Sequence, residues 1–420
     1  MILIVLLLME FIFMHFFLIS GNQFQSNFIC LIMIAVFSLV YIFVISQSEK
    51  YSMYLRELIS GYLLRIVLLL FDIYGRDIYH LPNSGADSSD FFRSAQWYAG
   101  ISIKARDMGA YPCVMGLIFK FIGINKLYGQ FLMLLCSIVA IHLFFAILDL
   151  LNTDYLIKKK ALLVVCLLPN FAILSVLFLR EAIVTMFITI SLYFFLRWFS
   201  NKSLFCLLLS VIACFSACYF HSGSVGLIVG YIIIVFLYSS YKERFTLSVS
   251  NIIFAVILVT MMGYLYFNYS EILFSKMVSV DDISEIASTS GYGGSSYAKY
   301  VGNSSSIRNM VIFTIPRIFY FLFSPFPWQW RGLSDIIAFC FSSLFYFAAI
   351  RSALGNLKCM SKINKNQTIA IIIISTCIVF VFAWGVSNTG TAARHRDKLV
   401  MLFATLYALG MNGSLEQTDL

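Results

Sequence analysis

The chain has few charged residues: they make up 12% of its 420 residues, whereas 61% are hydrophobic. Soluble domains are usually about 25% charged and about 45–50% apolar. Apolar runs of roughly 18 residues or more recur along the whole chain, and runs of that length are typical of transmembrane helices. The composition therefore excludes an ordinary water-soluble domain and predicts an all-α, polytopic integral membrane protein.

Other signals are missing as well. Whole segments are apolar on both faces, so the alternation that an outer-membrane β-barrel requires is absent. No GxxxxGK[ST] motif is present, which excludes a nucleotide-binding motor in this chain. No internal repeat is visible, which weighs against a secondary transporter. The first segment, "MILIVLLLMEFIFMHFFLIS", lacks a basic region and a cleavage site, so we interpret it as a retained helix rather than a signal peptide.

The cysteines and the net charge indicate no further ligand class. The ten cysteines are scattered, mostly within apolar runs, and show no paired metal-ligand spacing, so we expect small buried hydrophobic side chains. The formal net charge of +9 is explained by basic cytoplasmic loops under the positive-inside rule. We therefore expect membrane lipids, and no nucleic acid, as partners of the surface.

The basic loops set the expected orientation. Four short loops carry most of the lysine and arginine and are expected in the cytoplasm: "IKKK" (157–160), "RWFSNK" (197–202), "YKER" (241–244) and "RSALGNLKCMSKINKNQ" (351–367). They share one side only if the pieces at 113–123 and 309–325 do not cross the membrane. The pattern predicts about eleven spans with a cytoplasmic N-terminus, in a single multi-pass domain covering 1–420.

Nearly every unusual polar residue then falls on the outer face. Residues 76–126 form a first large outer loop with an interfacial helix, and 268–333 form a second one with interfacial segments. Within the second, the stretch 288–306 is rich in glycine, serine and tyrosine, which predicts a lid over a cavity. The orientation argument did not use these polar residues, so their coincidence on one face predicts a functional site there.

The adjacent charges Arg180 and Glu181 interrupt a long apolar run. From Ala161 to Arg197 the run has 37 residues. As one helix it would be about 56 Å long, whereas the hydrocarbon core is about 30 Å thick. We therefore predict two short helices with a turn after Pro169–Asn170, which moves the pair from mid-membrane to the outer boundary. Anchoring of a helix end by snorkelling side chains is the alternative explanation.

Two further segments supply candidate chemistry on the outer side. His221 ends one helix in "CYFHSGSVG" and would act as a general base, or cap and pack. The cluster "TGTAARHRDK" contains Arg394 and Arg396, and guanidinium groups bind phosphate oxygens in a bidentate way. Arg317 and Arg331, with Arg308, would extend the same surface or contact lipid headgroups.

The stretch "GADSSDFF" places Asp87 and Asp90 three residues apart, on one face of a helical turn. They would serve as a general base or hold a hard cation. Capping of a helix N-terminus by Asp87 or Ser88 is the alternative explanation.

The order of segments from Asp87 to Arg197 resembles the GT-C membrane glycosyltransferases, which use polyprenyl-phosphate sugars. The resemblance rests on the acidic outer loop, "YPCVMGLIFKFIGIN" and "LPNFAILSVLFLREAI". It implies that Asp87 or Asp90 matches the catalytic aspartate and that Glu181 matches a later acid. The chain departs from the pattern at Cys113, where the family often has a second proline.

The later part resembles bacterial O-antigen and capsular polysaccharide polymerases of the Wzy and EpsG type. The matching pieces are "LRE" at the head of a helix, "FHSG" two helices on, and "RHR" before the last helix. The resemblance implies a GT-C-like fold and polymerisation of polyprenyl-diphosphate-linked oligosaccharide repeat units. It implies a location in the bacterial cytoplasmic (inner) membrane, and a chain-length regulator and a flippase as partners.

The residue roles follow from this resemblance together with the charge pattern. The catalytic candidates are Asp87, Asp90, Glu181 and His221, and the diphosphate-binding candidates are Arg180, Arg317, Arg331, Arg394 and Arg396. No metal or cofactor is expected if arginines bind the diphosphate. Two alternatives stay open: a GT-C transferase of one sugar from a polyprenyl phosphate, with a divalent cation, and a non-catalytic flippase or transporter of lipid-linked glycans.

Overall fold

A computed structural model describes residues 23–239, 244–246, 295–301 and 307–418, together with Glu10 and Ile253. The predicted all-α architecture is confirmed for these residues. The described part also contains one short antiparallel pair of strands, β1 and β2, at Tyr238–Ser239 and Arg244–Phe245. The predicted first helix apart from Glu10, nearly all of the apolar stretch 246–267 that is also predicted to be helical, and residues 268–294 and 302–306 of the second outer loop lie outside the described residues.

The helices of the first half are α1 to α9, in chain order: Gln23–Gln47, Glu49–Ser52, Leu55–Tyr74, Ala86–Tyr98, Ala110–Ile122, Lys126–Leu150, Tyr155–Leu167, Pro169–Leu174 and Glu181–Asn201. The helices of the second half are α10 to α18: Leu204–Phe220, Val225–Leu237, Ala298–Val301, Ile307–Phe323, Leu333–Ile337, Leu344–Gly355, Lys362–Trp384, Thr389–Arg396 and Val400–Thr418. Short 3₁₀ turns lie at Ser222–Ser224, Pro327–Gln329 and Asp397–Leu399, and a π-helical stretch, Ala338–Ser343, joins α14 to α15.

Five helical segments of the described residues are long and apolar enough to cross a bilayer. They are Ser26–Gln47, Lys126–Leu150, Glu181–Asn201, Leu333–Gly355 and Lys362–Trp384. Because a span of about 30 Å needs about 20 apolar residues in a helix, these segments identify the chain as a helical membrane protein.

The chain packs into two compact units, one of Met1–His142 with Lys159–Met186 and the other of Leu143–Lys158 with Phe187–Leu420. In the first unit, the predicted first outer loop contains two helices, α4 and α5, rather than the single interfacial helix expected. They pack closely because Gly116 has no side chain: a Cβ there would lie 2.4 Å from Cβ of Tyr98. The helix α4 was not predicted, since its sequence is mostly polar.

The predicted break in the apolar run from Ala161 to Arg197 is confirmed, but Pro169 and Asn170 begin an additional short helix, and the irregular stretch follows Leu174 rather than Asn170. Helix α7 ends at Leu167, the short helix α8 begins at Pro169, and an irregular stretch leads to α9, which begins at Glu181. Proline suits this place because it is tolerated in the first turn of a helix, where its missing N–H would have no partner. The break puts Arg180 and Glu181 at a helix start rather than within a helix.

In the second unit, α11 and α16 cross at a pair of glycines. A Cβ on Gly226 would lie 2.4 Å from Cα of Ile378, and one on Gly230 would lie 2.8 Å from Cα of Ile374. The two backbones therefore approach as closely as small residues permit in membrane helices. This contact places the end of α10, with His221, beside the end of α16 at Trp384.

Candidate functional site

Arg180 and Glu181 sit at the N-terminus of α9. The carbonyl of Arg180 accepts a hydrogen bond from the amide of Val184 (3.1 Å). The Glu181 carboxyl lies in the first helical turn, where the helix dipole favours a negative charge, and only 3% of the residue is exposed. The Arg180 guanidinium lies over the ring of Phe91, 5.7 Å from its centroid. Adjacent residues of a helix do not face each other, so separate partners for the two charges stay a prediction.

An aromatic cluster lies beside this helix start. The ring of Tyr111 contacts Phe91 and Phe178, with centroid separations of 5.5 and 5.4 Å. Burial raises the pKa of Tyr111 well above its usual range, and the nearby Glu181 raises it further. The Tyr111 hydroxyl accordingly keeps its proton, and it makes no hydrogen bond with the described residues. Tyr111 of "YPC" therefore supplies a neutral hydroxyl close to the carboxylate of Glu181 in "LRE".

Asp87 and Asp90 lie on the first turns of α4, and both side chains are exposed. Neither Asp87 nor Ser88 is the N-cap residue of the helix, because Gly85 occupies that position, so the capping alternative is wrong. Asp87 is one helical turn before Phe91, the residue beneath the Arg180 guanidinium. The first unit therefore contains four of the predicted site residues, on the neighbouring starts of two helices.

The second unit joins two segments that the sequence singled out far apart. The imidazole rings of His221 and His395 meet with centroids 4.7 Å apart, nearly perpendicular to one another. Both rings contact Phe382, at 5.1 and 5.6 Å. "FHSG" and "RHR" thus form one cluster, which we call the histidine pair, and the segment that contributes His395 also contributes Lys398.

Hydrogen bonds to the histidine pair define its tautomers. The amide of Gly223 donates to Nδ1 of His221 (3.2 Å), so the capping role considered for this histidine is confirmed. Nδ1 of His395 lies 2.6 Å from Nζ of the buried Lys398, and a charged ammonium has only donors to offer. Each neutral ring therefore carries its proton on Nε2. The pair is equipped to donate hydrogen bonds, whereas a general base would need a free lone pair.

The two arginines of "RHR" are both buried. Arg394 is 8% exposed. Arg396 is 0% exposed, and its guanidinium donates to the carbonyl of Leu322 (2.9 Å), to the carbonyl of Ser324 and to the hydroxyl of Ser342 (3.3 Å). These contacts hold the end of α13 against α17. In this arrangement carbonyl groups of the chain itself accept the hydrogen bonds of Arg396.

Asp397 follows Arg396 and lies in the same buried network. Its carboxylate accepts hydrogen bonds from Ser342 (2.8 Å) and Tyr346 (3.4 Å). Burial raises the pKa of Asp397 to about 6, against the opposing effect of Arg396. The acidic residue of "RHRDK" is therefore a structural counterpart of the arginine rather than a solvated charge.

Arg317 and Arg331 occupy different environments. Arg317 is 1% exposed, donates to the hydroxyl of Ser387 (3.2 Å) and lies over the ring of Trp384, 4.5 Å from its centroid. Arg331 is exposed and forms an i,i+4 ion pair with Asp335 (3.3 Å). Arg308 lies where the side chains are outside the described set. The headgroup contacts considered for these arginines stay predictions.

Part of the stretch predicted as a lid lies within the described residues. Ser295–Val301 packs on the segment that leads into α17. The amide of Tyr297 donates a hydrogen bond to the carbonyl of Ser387 (2.9 Å), and the amide of Thr389 donates one to the carbonyl of Ser295 (3.0 Å). The Tyr297 hydroxyl also donates to the carbonyl of Val386 (3.1 Å). The second outer loop is thus joined by main-chain hydrogen bonds to the helix that presents His395.

A polar cavity of about 790 Å³ in the first unit was not predicted from the sequence. Asp72, Arg76, Lys120 and Lys126 contribute charges to its lining, and none of the residues predicted above is among the described lining residues. The available signal was Asp72, a carboxylate near the end of the apolar helix α3, since ionisable groups within apolar membrane helices are usually functional or paired. Lys398 was also missed, although it belongs to the quoted segment.

Within the part of the chain that the structure describes, no group of three histidine, cysteine, aspartate or glutamate side chains could hold a metal ion. Comparison with known proteins found no matching family model and no significant similarity to a curated protein or to a solved structure.

Proposed function

We propose that this protein polymerises polyprenyl-diphosphate-linked oligosaccharide repeat units into a surface polysaccharide, at the outer face of the bacterial cytoplasmic membrane. The observation that carries the proposal is the histidine pair. "FHSG" and "RHR", two of the three pieces behind the resemblance to polysaccharide polymerases, meet through His221 and His395 with centroids 4.7 Å apart.

The reaction transfers a glycan from one lipid to another. A hydroxyl of the acceptor sugar attacks the anomeric carbon of the donor, the bond between that carbon and the diphosphate oxygen breaks, and the polyprenyl diphosphate leaves with the electron pair. A base must take the hydroxyl proton, and positive charge or hydrogen-bond donors must stabilise the leaving group.

The histidine pair suits the second requirement. Since Nδ1 of each ring is engaged by a donor, the neutral rings carry their N–H groups at Nε2. Two such donors next to Lys398 and Arg394 suit the oxygens of a leaving diphosphate, because preorganised donors need no rearrangement when charge develops. We therefore assign His221 to leaving-group stabilisation rather than to proton abstraction.

The arginines divide into those that bind phosphate and those that position the chain. Arg394 is assigned to the diphosphate. Arg396 donates to main-chain carbonyls and Arg317 donates to the hydroxyl of Ser387, so we assign both to positioning of the chain. Arg331 and Arg180 keep their predicted contacts with phosphate. The base is sought among Asp87, Asp90 and Glu181, the carboxylates that the sequence singled out.

The proposed fold extends the described one. We propose about eleven spans in a GT-C-like arrangement, and the five segments long enough to cross the membrane support the polytopic part of it. A chain-length regulator and a flippase of the same pathway are the proposed protein partners.

The test reconstitutes the full-length protein in liposomes with lipid-linked repeat units. A ladder of products separated by one repeat unit is the expected result. Addition of a single sugar would favour the one-sugar transferase, and transbilayer movement without a product would favour a flippase, so either outcome contradicts polymerisation.

Variants connect the activity to the histidine pair. His221→Gln and His395→Gln remove one donor each, and we expect each to slow ladder formation by about a hundredfold, the loss typical of one oxyanion donor. Arg394→Ala and Arg180→Ala are expected to abolish the ladder while membrane insertion stays normal. Arg351→Ala, which removes an exposed arginine in a predicted cytoplasmic loop, is the matched control and should keep full activity. Full activity in both histidine variants would exclude the site.

A further inference from the structure

The polar cavity of the first unit has the size of a small-molecule site. Its volume of about 790 Å³ falls within the range of roughly 300–1,000 Å³ typical of ligand pockets. It is bounded by the start of α1, the end of α3, and the α4 and α5 helices with the turn into α6. The charge pattern predicts all of these segments on the outer face of the membrane.

The lining has an excess of positive charge. Arg76, Lys120 and Lys126 face one carboxylate, that of Asp72. Arg76 and Lys126 are close enough to interact electrostatically with each other and, for Lys126, with Asp72 as well. Two neighbouring cations repel one another, and a bound anion would offset that repulsion.

The carboxylate is fixed by the protein itself. Asp72 is 2% exposed, and it accepts hydrogen bonds from the hydroxyl of Ser84 and from Nε2 of Gln130 (2.7 Å). Arg76 in turn donates to the carbonyl of Ser84 (2.5 Å). Asp72 thus holds the turn on which Arg76 sits, and its oxygens are already engaged by the chain. It is a support of the cavity rather than a competitor for its cations.

The other polar side chains of the lining differ in whether the protein itself satisfies their hydrogen bonds. Asn125 is committed: its amide donates to Ser26 (2.7 Å) and to Asn27 (3.0 Å), and its oxygen accepts from the amide of Tyr128 (2.9 Å). By contrast, the side chains of Lys120, Lys126 and Gln96 make no hydrogen bond or ion pair with the described residues. Two ammonium groups and one amide therefore line a preformed space, and their hydrogen-bonding groups are available to a ligand.

Aromatic side chains also contribute to the lining of the cavity. Phe92 and Phe119 pack edge to face with centroids 6.0 Å apart, and both line the space. Cations, an amide and aromatic rings in one lining match a ligand with a phosphate, several hydroxyls and an apolar face. Sugar phosphates and polyol phosphates have these features.

We propose that this cavity is a second binding site, distinct from the histidine pair, for the phosphate ester of a hydroxyl-rich headgroup. Lys120 and Lys126 bind the phosphate together with Arg76, and Gln96 binds a hydroxyl. The ester arrives either on a membrane lipid or as a soluble sugar phosphate, and the chemistry of the site is the same in both cases.

The test uses the full-length protein in phosphatidylcholine nanodiscs. Isothermal titration calorimetry with glucose 1-phosphate probes the soluble form, and glucose is the uncharged comparison. Phosphatidylglycerol retained by the detergent-solubilised protein, counted by native mass spectrometry, probes the lipid form. Saturable binding of either phosphate ester supports the site and identifies its source. Binding of neither, or equal binding of glucose, would overturn the proposal.

The variant Lys120→Gln/Lys126→Gln removes the two available cations without touching a described hydrogen bond. We expect affinity for the bound ester to fall by at least about tenfold. Lys104→Gln/Arg106→Gln removes two exposed charges from the loop between α4 and α5, outside the lining, and should leave affinity within about twofold. Equal affinity in both double variants would overturn the site.

The proposal stands apart from the proposed polymerisation. His221→Gln should impair the ladder and leave binding of the phosphate ester unchanged. Failure of the binding test would leave the ladder result intact, and failure of the ladder would leave the binding result intact.

Discussion

At the residue scale, buried charges in this chain are held by short-range hydrogen bonds. Arg65 is 0% exposed and donates to the carbonyls of Gly61 (2.9 Å) and Cys166 (2.8 Å), and Arg396 uses carbonyls in the same way. A guanidinium spreads its charge over several donors, so main-chain oxygens can satisfy much of it without a carboxylate. A charge in an apolar sequence is therefore not by itself a ligand contact.

Asp397 carries a pH dependence that follows from its burial. Its pKa is raised from 3.8 to about 6, so the folded state holds its proton more tightly than the unfolded state. The stability from this group is complete below about pH 4 and is lost as pH rises through about 6, by an amount on the order of 3 kcal/mol. The thermal unfolding midpoint of the wild type should fall over this interval.

The comparison uses Asp397→Asn, whose amide does not titrate. The gap between its unfolding midpoint in detergent and that of the wild type should widen in favour of the variant as pH rises through about 6. Parallel curves for the two proteins across this interval would contradict the assignment of the buried carboxylate.

At the element scale, the histidine pair depends on how helices end and cross. His221 is the C-cap of α10 and the N-cap of the following 3₁₀ turn, and His395 lies on the short helix α17. Apolar length predicted the break before Glu181, because a bilayer limits the length of a span. It did not predict α4, because a polar helix in an outer loop carries no such constraint.

The glycine contact between α11 and α16 is expected to be intolerant of a methyl group. In Gly226→Ala the new Cβ would lie 2.4 Å from Cα of Ile378, a backbone atom that moves only with its helix. We expect a loss of about 1–3 kcal/mol in the free energy of unfolding, the usual cost of overpacking. The unfolding midpoint in detergent measures it.

Gly355→Ala is the matched control for this substitution. Nothing lies within 4 Å of a Cβ built at Gly355, which ends α15. Alanine is also the better helix former, so this variant should be neutral or slightly stabilised. An equal loss in both variants would show that close packing at Gly226 is not the cause.

At the scale of the whole molecule, the charge pattern predicts on which side of the membrane the polar cavity opens. The polar cavity of the first unit lies at helix ends opposite those where Lys159 pairs with Glu57 (3.8 Å). If basic loops are cytoplasmic, the cavity opens on the outer side.

Reporter fusions test this orientation. Alkaline phosphatase, which is active only outside the cytoplasm, should be active when fused after Arg106 and inactive when fused after Lys160. A green fluorescent protein fusion, which behaves in the opposite way, should be bright only after Lys160. Activity of alkaline phosphatase at Lys160 would reverse the predicted topology and move the cavity to the cytoplasmic side.

The sequence by itself determined the class of protein and the break in its apolar run from Ala161 to Arg197. Both follow from one-dimensional quantities: apolar length against bilayer thickness, and the cost of leaving a charge in hydrocarbon. Local pattern also singled out His221 and "RHR". It did not reveal whether they meet, because their sequence positions are about 170 residues apart.

Only the tertiary structure decided what these residues contact. It brought His221 to His395 through the close crossing of α11 and α16, enclosed Arg396 among carbonyls, and assembled the cavity from four separate segments. The physical reason is that burial and partner choice depend on contacts distant in sequence. An arginine in an apolar sequence is a ligand contact or a structural cation depending on which carbonyl groups the fold places around it.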